Sequence, residues 1–551
     1  MKKHIYLFTA LSVCALALTG CGGKAQDKTP AATAADTETV HKKEDIPFSR
    51  ENLHRHIKTL ASDEFGGRGP LSEGETLTTA YLEKAYRLSG LAPGAGQGYL
   101  QKVPMAKLTP DQDMVLQLGD LQFAAGKDFT ARTKQIKPQV TLDDSELVFV
   151  GYGINAPEYQ WNDYAGLDVK GKTLVMLVND PGFATQDENL FTGNAMTYYG
   201  RWTYKYEEAA RQGASGVLIV HETDAAGYPW GVVENSNTGS KFTLVDENGN
   251  KGMLPVMGWL QLEATEQLFT RAGMDYRALK AKARQRGFKP VELGLKANLT
   301  LNSKIEQAAS DNVVALLPGT ELADEYIVIS AHWDHLGTKQ TAKGPQIHNG
   351  AVDNATGTAA TLELARTLAE RAKASPFKRS IVFINFTAEE TGLIGSELFA
   401  EGGLYPSKQM VAVLNIDGMN PSQSVDYILQ YGKNMSEMEH YLADAARAQE
   451  RRVKMDPRPQ NGLFFRSDHF SLAKQGVPGL LFMSLGDTDP DYISHKYHKD
   501  ADDYSSQWSL AGMEQDMALL QDIAVKLADS EHWPQWLADS DFKKRRALDG
   551  R

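Results

Sequence analysis

Four continuously apolar runs in the second half of the chain constrain its fold more than any other feature: "YIVIS" at 326–330, "SIVFINF" at 380–386, "MVAVL" at 410–414 and "GLLFMSL" at 479–485. None alternates apolar with polar residues, as a strand with one wet face would. Between the first two lies "TGTAATLELARTLAERAK" at 356–373, with apolar residues at helical spacing. Strands that bury both faces need helices above and below them. The pattern therefore predicts an α/β fold built on a largely parallel sheet covered on both faces by helices.

The first half reads differently. "SRENLHRHIKTLAS" and "SEGETLTTAYLEKAYRLSG" have helical periodicity and a Gly-containing stop. From about Val140 to Leu299 come short β-rich runs, "ELVFVGYGI", "GKTLVMLVND" and "SGVLIVHE", which predict a smaller, separate, mostly β domain. A chain of 551 residues, 42% hydrophobic, has enough apolar material for two cores. Its net charge of -12 argues against non-specific nucleic-acid binding, because a phosphate backbone would meet a repelling surface. "KKRR" at 543–546 is too short to change that and reads as part of a solvated tail, 536–551.

At the other end, Lys2 and Lys3 precede "IYLFTALSVCALAL", an apolar segment too short to span a bilayer comfortably, so residues 1–20 read as an export signal. "LTGC", at 18–21, resembles the lipobox at which bacterial lipoproteins are cleaved and lipidated, here on Cys21. Cys14 lies inside the signal, which leaves the mature chain one cysteine and no internal disulfide. Residues 21–44, rich in Ala, Thr, Asp and Lys, read as a flexible tether. The expected location is a bacterial membrane, held by lipid on the periplasmic side or the cell surface. Gly22, where no Asp follows the cysteine, favours the outer membrane.

Ligands of open α/β sheets bind beyond the carboxyl ends of the strands. "AHWDH" follows "YIVIS", "TAEE" follows "IVFINF" and "NIDGMN" follows "MVAVL"; "GAVDNATG" opens a helix, and "YHKDADD" lies after the last apolar strand. Singly, each of these could be a solvated pair or a turn. Their shared placement makes a site. Imidazole and carboxylate ligands suit zinc, and a pair of zinc ions about 3.5–4 Å apart needs a bridging carboxylate. His332, Asp353, Glu390, Asp417 and His498 supply that count.

In that order, "AHWDH", "GAVDNATG", "TAEETGLIGS", "NIDGMN", "SDHF" and "YHKDAD" resemble the co-catalytic zinc aminopeptidases, whose relatives include glutamate carboxypeptidase, glutaminyl cyclase and the transferrin receptor. The resemblance implies a mixed sheet with a mostly parallel centre, in a discontinuous peptidase domain at 45–139 and 301–535. It also implies an inserted protease-associated domain at 140–300. It makes Asp353 the bridge between two Zn2+ ions, with His332 and Asp417 on one, Glu390 and His498 on the other, and Glu389 as general base. Asp334 would orient His332 and Asp502 would orient His498. His335, His469 and His495 are rival imidazoles; Tyr492 and Tyr497 are candidates for stabilising an oxyanion. Lys499 and the carboxylates behind His498 depart from the simplest form of the pattern. The implied activity is removal of N-terminal residues from peptides. Rival readings are a carboxypeptidase or dipeptidase on the same metals, a glutaminyl cyclase, and an inactive binding protein.

Overall fold

The computed structural model describes residues 46–485, 491–538 and 540–551. The export signal, the tether and Cys21 lie outside the described residues. At the centre, Leu322–His332 runs parallel to Arg379–Phe386 on one side and to Met410–Ile416 on the other, and Met410–Ile416 runs parallel to Gly479–Met483. Antiparallel strands flank this core: Val291–Leu317 beside Arg379–Phe386, and Tyr427–Tyr431 beside Gly479–Met483. The sheet is mixed with a parallel centre.

The unbroken apolar runs have a direct explanation in the packing. Side chains on a strand point alternately to its two faces. Ile327, Ile329 and Ala331 enter a core shared with Leu53, Leu364 and Met517, from the helices Arg50–Leu60, Gly357–Ala374 and Ala511–Asp529. Val328, between them, enters the opposite core with Phe399 and Leu472, from Ile394–Glu401 and His469–Lys474. Both faces are buried, so a polar position survives only with a partner, as Ser330 finds in Asn415 at 2.6 Å, and each buried Val, Leu or Ile contributes roughly 1.5–3 kcal/mol.

A second sheet has its own cores. Gln139–Phe149, Thr173–Leu177, Gly216–Val220 and Val256–Leu260 run parallel in that order. Here too the faces divide: Leu218 and Val220 pack with Leu268 and Phe269 of the helix Leu262–Arg271, while Val217 and Ile219 pack with Tyr206 and Ala209 of Trp202–Arg211. This part of the chain is therefore a sheet with helices against both of its faces. Val115–Leu118, Leu121–Ala124 and Phe129–Arg132 belong to this second sheet, ahead of residue 140. Val291–Leu317 pairs with Gln139–Phe149 at one end and with Arg379–Phe386 at the other, so residue 301 falls inside a strand common to both sheets.

The C-terminal residues are not a solvated tail. Lys543–Leu548 is helical and Arg546 is only 1% exposed, its guanidinium donating to the carbonyls of Met410 at 2.9 Å and Ser407 at 3.1 Å. Trp536 and Phe542 are buried beside it. Free carbonyls where a central strand begins need donors, and this basic run supplies one. Among the described residues no helix is long and apolar enough to cross a membrane.

Candidate metal centre

Three parallel strands end together and deliver their chemistry to one place. His332 is the last residue of Leu322–His332, Asp417 follows Met410–Ile416, and Glu389 and Glu390 follow Arg379–Phe386 by three and four residues. Asp353 lies in the turn before the helix Gly357–Ala374. That turn begins at Gly350, with φ +55°, where a Cβ would sit 2.2 Å from the Asp353 carbonyl oxygen and 2.5 Å from the His335 ring; only glycine fits. His498 is held in the left-handed region, with φ +58°.

The resulting geometry is centred on Asp353. One of its oxygens, Oδ1, lies 3.3 Å from His332 Nε2, and the other, Oδ2, lies 3.3 Å from His498 Nε2. His332 Nε2 is also 3.2 Å from Asp417 Oδ1, and His498 Nε2 is 3.1 Å from Glu390 Oε2. All five side chains expected as metal ligands thus meet. His332 and Asp353 are buried, whereas His498 and Asp417 face the opening. Burial opposes the charge on His332, but the carboxylates of Glu389, Asp353 and Asp417 outweigh it and hold the imidazolium well above its usual range. In the same way His498 is raised to about 10 against burial, chiefly by hydrogen bonds to Asp353 and Glu390. Burial and Asp353 work to raise the Glu390 carboxyl, yet His335 and His498 bring it down to about 2. Several ionisable groups packed this tightly without solvent stay charged only through mutual compensation.

Nitrogen and carboxylate donors of this kind fit zinc. Two sets of ligand atoms lie close enough together to hold an ion: His332, Asp353 and Asp417, and His335, Asp353 and Glu390. His335 is thus nearer to the site than a supporting role requires. Its Nδ1 lies 2.6 Å from Glu390 Oε1, although the angles do not make a hydrogen bond and both His335 nitrogens are buried without one. His469 is also buried, its ring set edge-on to Phe464 at 4.5 Å, and burial lowers it to about 3. His495 is largely exposed beside Asp491.

The two orienting carboxylates do something other than expected. His332 Nδ1 bonds the backbone carbonyl of Asp334 at 3.0 Å, whereas the Asp334 carboxylate stands 3.8 Å from that nitrogen and accepts the backbone N–H groups of Glu389 at 3.1 Å and Glu390 at 3.4 Å. Asp502 does not touch His498; it accepts from the backbone nitrogens of Val352 at 3.1 Å and Asp353 at 3.0 Å. In both cases a tight turn leaves backbone donors pointing inward, and the nearest buried carboxylate is consumed by them. Tyr492 is turned toward Asp502 as well, with its hydroxyl 3.4 Å away, while the Tyr497 ring stacks on His498 at 3.8 Å.

Arg68, in "FGGRG", was not singled out in the sequence. Fully buried, it donates to the carbonyls of Trp333 at 2.8 Å, Leu60 at 2.7 Å, Asn349 at 2.6 Å and Gly350 at 2.8 Å. It ties the loop after His332 to the turn that carries Asp353. A charged residue between three glycines, just before a helix, was the available signal. The Glu389 side chain makes no hydrogen bond among the described residues; it faces a cavity of about 700 Å3 together with Glu390 and His498. Burial and then the carboxylates of Asp417, Glu390 and Asp468 raise its carboxyl well above the usual range.

Residues 312–520 match the model of peptidase family M28. An aminopeptidase of Mus musculus is 33% identical over 137 residues, which are 24% of this chain and 17% of that protein. A probable glutamate carboxypeptidase of Arabidopsis thaliana is 27% identical over 298 residues, 49% of this chain and 37% of that protein. The match therefore spans less than half the length of either curated relative. Among solved structures, an aminopeptidase from Aneurinibacillus sp. strain AM-1 is 21% identical, with 88% of this chain and 95% of that chain covered and a TM-score of 0.48. The five expected ligands and Glu389 all lie within the matched segment.

Proposed function

We propose, from the match of residues 312–520 to the model of peptidase family M28, that the chain is a zinc-dependent aminopeptidase with two metal ions in its site. The observation that carries this reading is the placement of Asp353, whose two oxygens face two different imidazoles at 3.3 Å each. His332 and Asp417 would hold one zinc, Glu390 and His498 the other, and Asp353 both. Bound zinc supplies Lewis acidity toward a water and toward the carbonyl oxygen of the scissile peptide. Glu389 takes the proton from the attacking water and hands it to the leaving amine nitrogen. Its backbone is pinned by Asp334, so the side chain reaches the opening from a fixed base. Tyr497, stacked on His498, would be the phenol that donates to the developing oxyanion, with Tyr492 the other candidate.

The reading extends to the whole chain. Residues 45–139 and 301–535 would be the peptidase domain, with a protease-associated domain at 140–300 set into it. Cys21 would carry lipid that anchors the exported protein to a bacterial membrane, by preference the outer one. Replacing Cys21 by Ser should then release the protein from the membrane fraction or stall its processing; unchanged membrane retention would refute the anchor.

The deciding assay uses peptides with free and with acetylated amino termini, before and after chelation. Cleavage of the free peptides alone, lost with chelator and restored by Zn2+, is the expected outcome. Cleavage of acetylated peptides from their carboxyl ends would make the protein a carboxypeptidase on the same metals. Zinc-loaded protein that cleaves neither would leave a binding protein.

A further inference from the structure

Three parts of the chain line the cavity that Glu389 faces: the loop after Arg379–Phe386, the second sheet's segment with Tyr198 and Trp202, and the C-terminal residues Asp541, Phe542 and Arg545. The third part lies outside 312–520, the stretch that matches a known family, so nothing in that match accounts for its place in the wall. It meets the second segment at the short helical turn Tyr198–Gly200. There the neighbours of Tyr198 are held by their own segment: Thr197 donates its backbone N–H and its hydroxyl to Asp180, at 3.2 and 2.9 Å, and the Tyr199 carbonyl accepts Lys205 Nζ at 2.7 Å. Between them the Tyr198 N–H turns to the C-terminal segment and donates to Asp541 Oδ2 at 2.8 Å.

The C-terminal segment is itself fastened to the first sheet. On one side of Asp541, Trp536 donates its indole N–H to the Gly476 carbonyl at 2.7 Å; on the other, Arg546 donates to the carbonyl of Met410, where the strand that Asp417 follows begins. Phe542, between them, sets its ring 5.7 Å from that of Tyr198 and 6.2 Å from that of Phe470. Lys544 adds a second tie across the seam, 2.6 Å from Glu158, which also accepts the Tyr199 hydroxyl. Loss of surrounding water, and then the charges of Glu158 and Asp180, push the Asp541 carboxyl up to about 7, against the hydrogen bond from Tyr198. Its charge is thus no gain to the fold, and the use of the residue lies in its oxygen as an acceptor.

We infer that Asp541 is a positioning residue for peptide binding: through the Tyr198 N–H it fixes the second segment's wall relative to Glu389, and so the width of the cavity that receives the peptide. The inference rests on the aminopeptidase reading for what enters the cavity. A wall that is in place only part of the time lowers the apparent affinity by that fraction. Among the described residues Asp541 makes no hydrogen bond or ion pair with Glu389 or the proposed zinc ligands, so its replacement should spare the chemical step.

The test measures cleavage of Ala-Ala-Ala by the zinc-loaded protein. Asp541→Ala should raise KM about 3–10-fold, the range of one lost hydrogen bond, with kcat and zinc content unchanged. Asp541→Asn keeps an oxygen for the Tyr198 N–H and should restore the KM of the unaltered protein. Lys544 is exposed, so Lys544→Ala tests the same seam even where loss of Asp541 disturbs folding, and it should also raise KM; Lys543→Ala, next to it and outside the seam, should not. A residue that serves only stability would lower the melting temperature and leave KM alone, and that result for Asp541→Ala would overturn the inference. A fall in kcat with KM unmoved would overturn it as well. Should the unaltered protein cleave no peptide, the aminopeptidase reading fails by itself and calorimetry decides the positioning role: weaker binding of Ala-Ala-Ala by Asp541→Ala than by the unaltered protein keeps it, whereas equal binding, or none by either, removes it.

Discussion

Glu389 and Glu390 are neighbours in sequence with unlike surroundings. Glu390 lies against His335 and His498, whereas the Glu389 side chain makes no hydrogen bond among the described residues and faces the cavity. Glu389→Gln keeps shape but cannot take a proton, so kcat should fall on the order of 10²–10⁴-fold with zinc still bound and KM little moved. Glu390→Gln should lower metal affinity, and excess zinc should recover part of the activity. Zinc lost from the first variant and kept by the second would reverse the two roles. Asp353→Ala removes a carboxylate from both imidazoles at once and should cost more zinc than any other single ligand change; a zinc content near that of the unaltered protein would refute the bridge. The two glutamates were legible in the sequence because they follow an apolar run whose end fixes their position, and Asp353 because its turn opens a helix beside those strand ends. Asp334 and Asp502 were legible as important but not in what they hold. Their partners are backbone N–H groups exposed by turns, and no residue type reports which way a turn points its donors.

At the scale of elements, the site depends on how firmly the turn from Gly350 to Thr356 is fixed. Asp502 accepts two of its backbone donors, and Arg68 donates to the carbonyls of Asn349 and Gly350 at its start. Asp502→Ala would leave the Val352 and Asp353 N–H groups buried and unpaired, at about 1–3 kcal/mol each. Zinc affinity should drop roughly 10–100-fold, as for other residues that orient a ligand from behind. Competition with a zinc-binding dye measures this, and an unchanged affinity would show that the turn holds itself. Removal of zinc should likewise loosen the same elements. With zinc at 100 times its dissociation constant, the loaded protein gains about 2.7 kcal/mol over the stripped one, so chelation should lower the melting temperature measurably. A melting temperature indifferent to chelator would argue that these side chains do not bind metal in the folded state. The second sheet was harder to read than the site it adjoins. Its early strands, such as Val115–Leu118, are four residues long and carry exposed positions, so nothing in their pattern separates them from loops.

For the molecule as a whole, the chain's two ends lead to opposite expectations. A chain starting at residue 45 should keep the activity of the full protein, since the proposed tether serves only to reach a membrane. Removal of residues 536–551 should instead be severe. Trp536 donates its indole N–H to the Gly476 carbonyl at 2.7 Å, Phe542 is 2% exposed, and Arg546 closes off the carbonyls at the start of Met410–Ile416. Asp541 moreover accepts the backbone N–H of Tyr198 at 2.8 Å, so these last residues hold the second sheet's segment as well as the first. Truncating a buried Trp or Phe costs about 3–5 kcal/mol, a large part of the roughly 5–15 kcal/mol that keeps a typical protein folded. The shortened protein should therefore aggregate or melt far below the full one. Single replacements distinguish packing from mere length: Trp536→Ala and Phe542→Ala should each lower the urea midpoint, while Lys543→Ala, outside the buried set, should not. A protein ending at residue 535 with an unchanged midpoint would return the basic run to the solvent where its composition first placed it.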